Sequence, residues 1–266
     1  MFAVIFITAN ICFCNAQDII QVREVKGSAF IYGDVSENQA RERAIGEAKK
    51  EALNKAHIAE HINAYEQLFT VQGNSDFAQF FNSDVQSEIQ GAVTAYTIVS
   101  EDKKINSAIN QIEYSVIINA EVIKYNTQVD FSFKVLVDSI QPLYKNGDKL
   151  TFSVKTTQDC FLTIFNVTDH DASVMYPNII EKDQFIQKED FYRFPRKSTF
   201  LDYELETNKK DEINRLIFVF TKKRIPFLEM NGNDQNTNNE QIMTWLYSIP
   251  PDQRCTYYQQ FHILRN

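Results

Sequence analysis

From position 112 to 122 every second residue is apolar (Ile112, Tyr114, Val116, Ile118, Ala120, Val122), and Glu113, Ser115, Asn119 and Glu121 stand between them. A period of two describes a strand with one buried and one wet face. Residues 93–99 supply an antiparallel neighbour across a polar turn at 101–104, where Glu101, Asp102, Lys103 and Lys104 follow one another. Upstream, residues 22–32 read as another strand. Ser36 comes next, with Gln39 three positions on, the reciprocal capping pair that opens a helix. A long helix is therefore predicted, with Ala40, Ala44, Ala48, Ala52 and Ala56 recurring every fourth residue as a ridge of small side chains that can lie close to a sheet. Arg41, Glu42, Arg43, Glu47, Lys49 and Lys50 form its solvated remainder. Residues 76–89 repeat the amphipathic theme through Phe77, Phe80, Phe81, Val85 and Ile89, read as core. The first segment is thus strand, helix, strand, helix and hairpin.

After about residue 126 the helical period stops. Val129, Phe131, Phe133, Val135 and Val137 alternate with polar residues, and further short strands are predicted at 150–154, 161–167, 203–205 and 213–220. Five strands without helices imply a β-sandwich or an open barrel. Residues 230–239 (MNGNDQNTNN) read as a loop, 240–247 as a short helix with Ile242, Trp245 and Leu246 on one face, and 255–264 as a final edge strand after Pro250 and Pro251. The expected fold class is α+β: an amino-terminal antiparallel sheet packed by a long helix (17–127), an all-β sandwich-like domain (128–227), and a carboxyl-terminal loop, helix and edge strand (228–266).

Composition narrows the function. The chain has 35 acidic and 27 basic side chains, a difference of eight negative charges. A field of that sign repels polyanions, so nucleic acid is not an expected partner. None of the seven glycines falls in a phosphate-cradling pattern, and no nucleotide or other cofactor is expected. Residues 1–16 (MFAVIFITANICFCNA) are uncharged and apolar and end at Ala16 before Gln17 and Asp18, which reads as a secretory signal peptide. Its apolar run is shorter than the roughly 20 residues of a spanning helix, so no transmembrane anchor is expected. Cys12 and Cys14 are alternative lipid-attachment positions, disfavoured by bulky Ile11 and Phe13 before them. The other two cysteines, Cys160 and Cys255, either pair as a disulfide in an oxidising compartment or stay free, Cys160 packing as a small apolar group in a strand.

Gly27-Ser28-Ala29, Ala40-Arg41 and the run Ala44-Ile45-Gly46-Glu47-Ala48-Lys49-Lys50-Glu51-Ala52 resemble the amino-terminal domain of flagellar assembly protein T and the related Lpp20-type lipoprotein modules of bacterial envelopes. The resemblance covers residues 22–124, with the strands at 91–99 and 114–122 where that family has its closing strands. Residues 129–227 look like a second envelope module, an uncharacterised β domain often found near the carboxyl end of exported bacterial proteins. Its marks are residues 150–154, 160–166, Tyr176-Pro177-Asn178, Phe194-Pro195 and the strand at 216–220. That family commonly has an Asp-Gly turn before the strand leading to Pro-Asn; here Asp171 precedes Ala172. Neither resemblance brings a catalytic residue. Both imply a binding or assembly role in the cell envelope.

Four short constellations carry possible chemistry. His57-Ile58-Ala59-Glu60-His61 spells the inverted zincin pattern: two imidazoles one helical turn apart could hold Zn²⁺ with Glu60 as base, and a third ligand must come from elsewhere, with Asp138 at a comparable spacing. The same residues equally suit the last turn of a solvated helix, where a cationic imidazole favours the carbonyl end. Asp169-His170-Asp171 with Ser173 holds the residue types of a nucleophilic triad, but adjacent positions on a turn cannot relay hydrogen bonds in sequence. Lys222-Lys223-Arg224 could touch anionic lipid or polysaccharide, or simply end a strand. Tyr176-Pro177-Asn178 is a tight turn or a recognition loop. The expectation is a periplasmic, secreted or outer-membrane-associated protein without catalysis that contacts other envelope proteins. The alternatives are a zinc hydrolase at His57, Glu60 and His61, and a glycan- or peptidoglycan-binding β module.

Overall fold

The computed structural model describes residues 18–31, 36–58, 91–107, 111–168, 171–227 and 236–265. The predicted leader at 1–16 and the predicted helix at 76–89 lie outside them. Strands dominate, holding about half of the residues, and two α-helices occur among the described residues.

Three long antiparallel strands, β1 (Asp18–Ile31), β2 (Gly91–Asn106) and β3 (Gln111–Lys124), form a sheet in the order β1-β3-β2. Helix α1 (Glu37–Lys55) crosses one face of it. Its start follows from the sequence: the Gln39 amide donates to Ser36 Oγ (3.3 Å), and the Ser36 amide donates to Gln39 Oε1 (2.8 Å). Ala40, Ala44, Ala48 and Ala52 are fully buried against the sheet. The approach is so close at Gly27 that a Cβ there would collide with the Ala44 carbonyl oxygen and the Ala48 nitrogen.

Two details of this sheet differ from expectation. The polar run 101–104 is not a turn; Glu101 to Lys104 pair with Val116 to Glu113, and β2 continues to Asn106. The charges are tolerated in a strand because two of them reach α1: Glu101 accepts from Arg41 (2.8 Å), and Lys103 pairs with Glu37 (2.7 Å). Helix α1 also ends earlier than the 57–61 motif requires. Ala56 caps it, and His57 has φ of 57°, a left-handed conformation that leaves the helical path.

The remaining chain builds a six-stranded sheet facing a three-stranded one. In chain order the strands are β4 (Val135–Asp138), β5 (Leu143–Lys145), β6 (Lys149–Leu150), β7 (Phe152–Thr156), β8 (Phe161–Val167), β9 (Ala172–Tyr176), β10 (Tyr192–Phe194), β11 (Tyr203–Glu204), β12 (Asp211–Thr221), β13 (Asn236–Thr237) and β14 (Arg254–Leu264). The large sheet runs β13-β9-β8-β12-β14-β5, the small one β10-β7-β4, and β11 pairs with β6 alone. The strand predicted from residue 129 begins only at Val135. Asp130 interrupts it by accepting the Ser132 amide (2.9 Å) and hydroxyl (2.6 Å), which folds a turn. At the departure from the Asp-Gly pattern, the Asp171 amide donates to Thr168 Oγ1 (3.0 Å) and the Thr168 amide to the Asp171 carbonyl (2.8 Å), closing the β8–β9 connection without glycine.

The strand expected at an edge is interior. Along its whole length β14 pairs antiparallel with β12, and its far side pairs in parallel with β5. Between β13 and β14 lies helix α2 (Asn239–Ser248), opened by an Asn238–Gln241 capping box. It packs against the start of β2 and against the outer face of the six-stranded sheet. Strand β12 is consequently buried on both faces. Leu216, Phe218 and Phe220 meet the three-stranded sheet, while Ile217 and Val219 belong to the core shared by α2, α1 and the amino-terminal sheet. No helix among the described residues is long and apolar enough to cross a membrane.

Candidate functional site: a groove over a buried carboxylate

The two Pro-containing marks of the β domain come together in space. Asn178 organises the first: its side-chain oxygen accepts the amides of Ile180 (2.9 Å) and Glu181 (2.7 Å), its amide group donates to the Met175 carbonyl (3.0 Å), and its own backbone N–H donates to the Glu181 carbonyl (2.9 Å). Tyr176-Pro177-Asn178 is therefore a tight turn, and it delivers Glu181 into the interior with no exposed surface. One carboxylate oxygen accepts the Arg196 backbone N–H (2.6 Å), the other the Tyr203 hydroxyl. The Arg196 guanidinium donates to the Tyr176 hydroxyl and to the Lys182 carbonyl (3.2 Å). Phe194, just before Pro195, sets its ring edge-to-face with Tyr176 (centroids 4.9 Å apart) and stacks on Phe152 (5.4 Å). A carboxylate taken out of water must be satisfied by donors, and this one is held by groups from two loops at once.

Burial pushes the Tyr176 hydroxyl up to about 12, and burial together with the Glu181 carboxyl beside it pushes Tyr203 higher still. Both phenols stay protonated donors at neutral pH. The cluster therefore ties loops together through phenols that keep their protons.

Directly over it runs an open groove of about 480 Å³, walled by Asn178, Ile179 and Ile180 on one side and Leu201, Tyr203 and Leu205 on the other, with Leu216 and Phe261 among its lining. Its lining mixes polar groups, Asp202 and Glu204 among them, with apolar side chains that face solvent. Ile179 is 59% and Ile180 52% exposed, and Phe200, next to Leu201, is 100% exposed with φ of 54°. Neighbouring exposed apolar side chains of this kind mark interaction surfaces rather than ordinary surface scatter.

The other sequence candidates fare differently. His57 lies beyond the end of α1, and Glu60 and His61 lie outside the described residues, as do Asp169 and His170. His57 itself has a left-handed backbone just past the end of α1. Asp138 ends β4 and accepts the Ser139 amide (2.7 Å). Ser173 sits in β9, paired with Asn236 and Asn166.

Cys160 and Cys255 are both free, which corrects the disulfide alternative. Cys160 immediately precedes β8 and Cys255 lies in β14, with β12 between these strands. Two strand spacings of roughly 4.8 Å hold their backbones farther apart than the ~7 Å a disulfide allows. Burial raises their thiols to about 12 and about 11, so neither forms a thiolate readily. The basic run is committed to ion pairs: Lys222 meets Asp130 (2.5 Å) and Arg224 meets Asp183 (2.8 Å).

Glu181 and Arg196 escaped sequence reasoning. Their signal was an acid three positions after a Pro-Asn turn and an arginine straight after the second proline, spacings that mean something only once the turns are known to meet.

Residues 143–224 match the model of a family described as a domain of unknown function (DUF4384). That stretch contains Glu181, Arg196, Tyr203 and nearly all of the groove, and it agrees with the β domain expected there. Nothing in the comparisons supports the resemblance of residues 22–124 to the flagellar assembly module. No curated protein matches the chain.

Proposed function

We propose that this chain is an exported, non-catalytic binding or assembly protein of a bacterial cell envelope, and that the groove of its β domain is the surface through which it contacts other envelope proteins. The observation that carries this reading is the solvent exposure of Ile179 and Ile180 at the groove, with Phe200 next to its Leu201 wall, beside a loop tied down by the hydrogen bonds of Glu181. Exposed apolar side chains on a loop pinned by Glu181 favour association, because little conformational entropy is lost on binding. The uncharged apolar leader and the amino-terminal resemblance to envelope modules support the same reading.

The test is site-specific photo-crosslinking from position 180 in cells that express the full chain. A reproducible adduct, abolished by Phe200→Asp while the circular dichroism spectrum is unchanged, is the expected result. An adduct pattern indifferent to Phe200→Asp, or no adduct beyond that of a probe at exposed Lys188, overturns the proposal.

A further inference from the structure

One wall of the groove is a strand with a second edge. Residues 201–206 run Leu-Asp-Tyr-Glu-Leu-Glu, and their exposure alternates with the same period of two: Leu201, Tyr203 and Leu205 are half-buried, whereas Asp202, Glu204 and Glu206 are exposed. Tyr203 and Leu205 pack on the aromatic core of the β domain. The first edge of this strand is occupied. Tyr203 pairs with Leu150 and Glu204 with Lys149 of β6, the Leu205 amide donates to the Asp148 carbonyl (2.9 Å), and the Leu205 carbonyl accepts from the Gly147 amide (2.8 Å). Among the described residues β6 is the one strand bonded to β11.

In an antiparallel pair every second residue turns its N–H and C=O away from the partner. Leu205 is bonded toward β6, so its neighbour Glu204, which lines the groove, presents its main-chain donor and acceptor on the other side. A strand laid roughly 4.8 Å from β11 would send alternate side chains the same two ways as β11 does. One set would lie with Leu201, Tyr203 and Leu205, facing Ile179 and Ile180 across the groove. The other set would stand beside the acidic row. Within that row Asp202 is already engaged by Lys149 (2.5 Å), and Glu204 and Glu206 continue it. Opposite charges facing each other across two strands favour pairing and like charges oppose it. The segment complementary to this edge is therefore apolar at every second position and basic between.

Resting on the reading of the groove as a protein-contact surface, we propose that it takes an extended segment of a partner protein as a strand added to β11, and that in this segment apolar residues alternate with lysine or arginine. Main-chain hydrogen bonds supply the attachment, and the acidic row selects the partner.

The test titrates the full chain, by fluorescence anisotropy at low salt, with fluorescein-labelled Val-Lys-Val-Lys-Val-amide and with analogues carrying Gln or Glu in place of Lys. The Lys peptide is expected to bind at about tenfold lower concentration than the Gln peptide, the scale of two opposed charge pairs, and this gap narrows in high salt. Bound Lys peptide slows amide exchange at Glu204. Glu204→Lys, at an exposed position, leaves the melting temperature unchanged and abolishes the preference for Lys over Gln. Equal binding of the Lys and Gln peptides, a preference kept by folded Glu204→Lys protein, or an unchanged exchange rate at Glu204 overturns the proposal. A dimer of the full chain that the Lys peptide dissociates also overturns it, assigning the edge to a second copy. Failure here is distinct from failure of the protein-contact reading: adducts from position 180 without a lysine preference remove only the stated kind of partner, whereas a lysine preference without adducts removes only the contact in cells.

Discussion

The two faces of the six-stranded sheet are sealed by different means. Toward the small sheet the filling is aromatic: Phe152 stacks on Phe194, and Phe218 sets its edge against Phe152 (5.3 Å) and Tyr257 (5.9 Å). Toward the amino-terminal sheet and α2 the filling is mostly aliphatic, and a polar weld is added. Buried Arg254 donates to the carbonyls of Leu246 (2.8 Å) and Ile249 at the end of α2, and its guanidinium lies 4.7 Å from the Tyr247 ring centroid and 5.6 Å from that of Tyr125. The Tyr125 hydroxyl closes the weld on the Tyr247 carbonyl. A cation at the carbonyl end of a helix is compensated by the helix dipole and by two ring faces. The lesson is that the β domain closes on itself by area, whereas the junction needs directional bonds to fix how two units meet.

That contrast is open to attack. Phe218→Ala empties the centre of the aromatic face and is expected to cost about 3–5 kcal/mol in denaturant unfolding, the largest effect of this set. Glu181→Ala strands the Tyr203 hydroxyl and the Arg196 amide; a loss of about 3 kcal/mol follows from unpaired buried groups, and Tyr203→Phe should recover part of it in the double variant. Arg254→Met leaves the last carbonyls of α2 unmet and is expected to cost about 2 kcal/mol. Its signature is faster amide exchange in α2 and at the start of β2, with the aromatic face still protected. If exchange instead rises evenly through both faces, the junction is not a separate element of stability.

Smaller effects sharpen the picture. Ser36→Ala removes the cap of α1 at about 1 kcal/mol, seen as a lower melting temperature with unchanged strand content. The weakest concerns Asp130, whose carboxyl is held far below the usual range, first by the Lys222 ammonium and then by hydrogen bonds from Ser132 and Gln158. A folded pKa below the unfolded value of about 3.9 means that this contribution is present above that pH and is lost as the pH falls below it. The stability gap between the native chain and Asp130→Asn should therefore be open at neutral pH and close on acidification below about pH 4. A gap independent of pH would assign Asp130 a role other than its charge.

Features written in neighbouring residues could be read before folding. The Ser36–Gln39 cap, the alanine ridge of α1 and the alternation of β3 are local, since one turn of helix or two strand residues contain the whole pattern. The Pro-Asn turn was legible as well, because Asn178 folds back on its own next three residues. Read along the chain alone, Glu101 to Lys104 looked like a turn, and only α1 above them shows that their charges belong in a strand.

What tertiary structure alone decided is which surfaces meet. The apolar run of β12 gives no sign that alternate side chains enter two different cores, and the last eleven-residue strand gives none that it inserts between β12 and β5 instead of ending the sheet. The same holds for Glu181 finding Tyr203 and for β12 keeping Cys160 from Cys255. Periodicity reports which side of an element avoids water, a property of each segment. The identity of the partner depends on how many segments compete to cover that side, and this is settled only when the whole chain has closed.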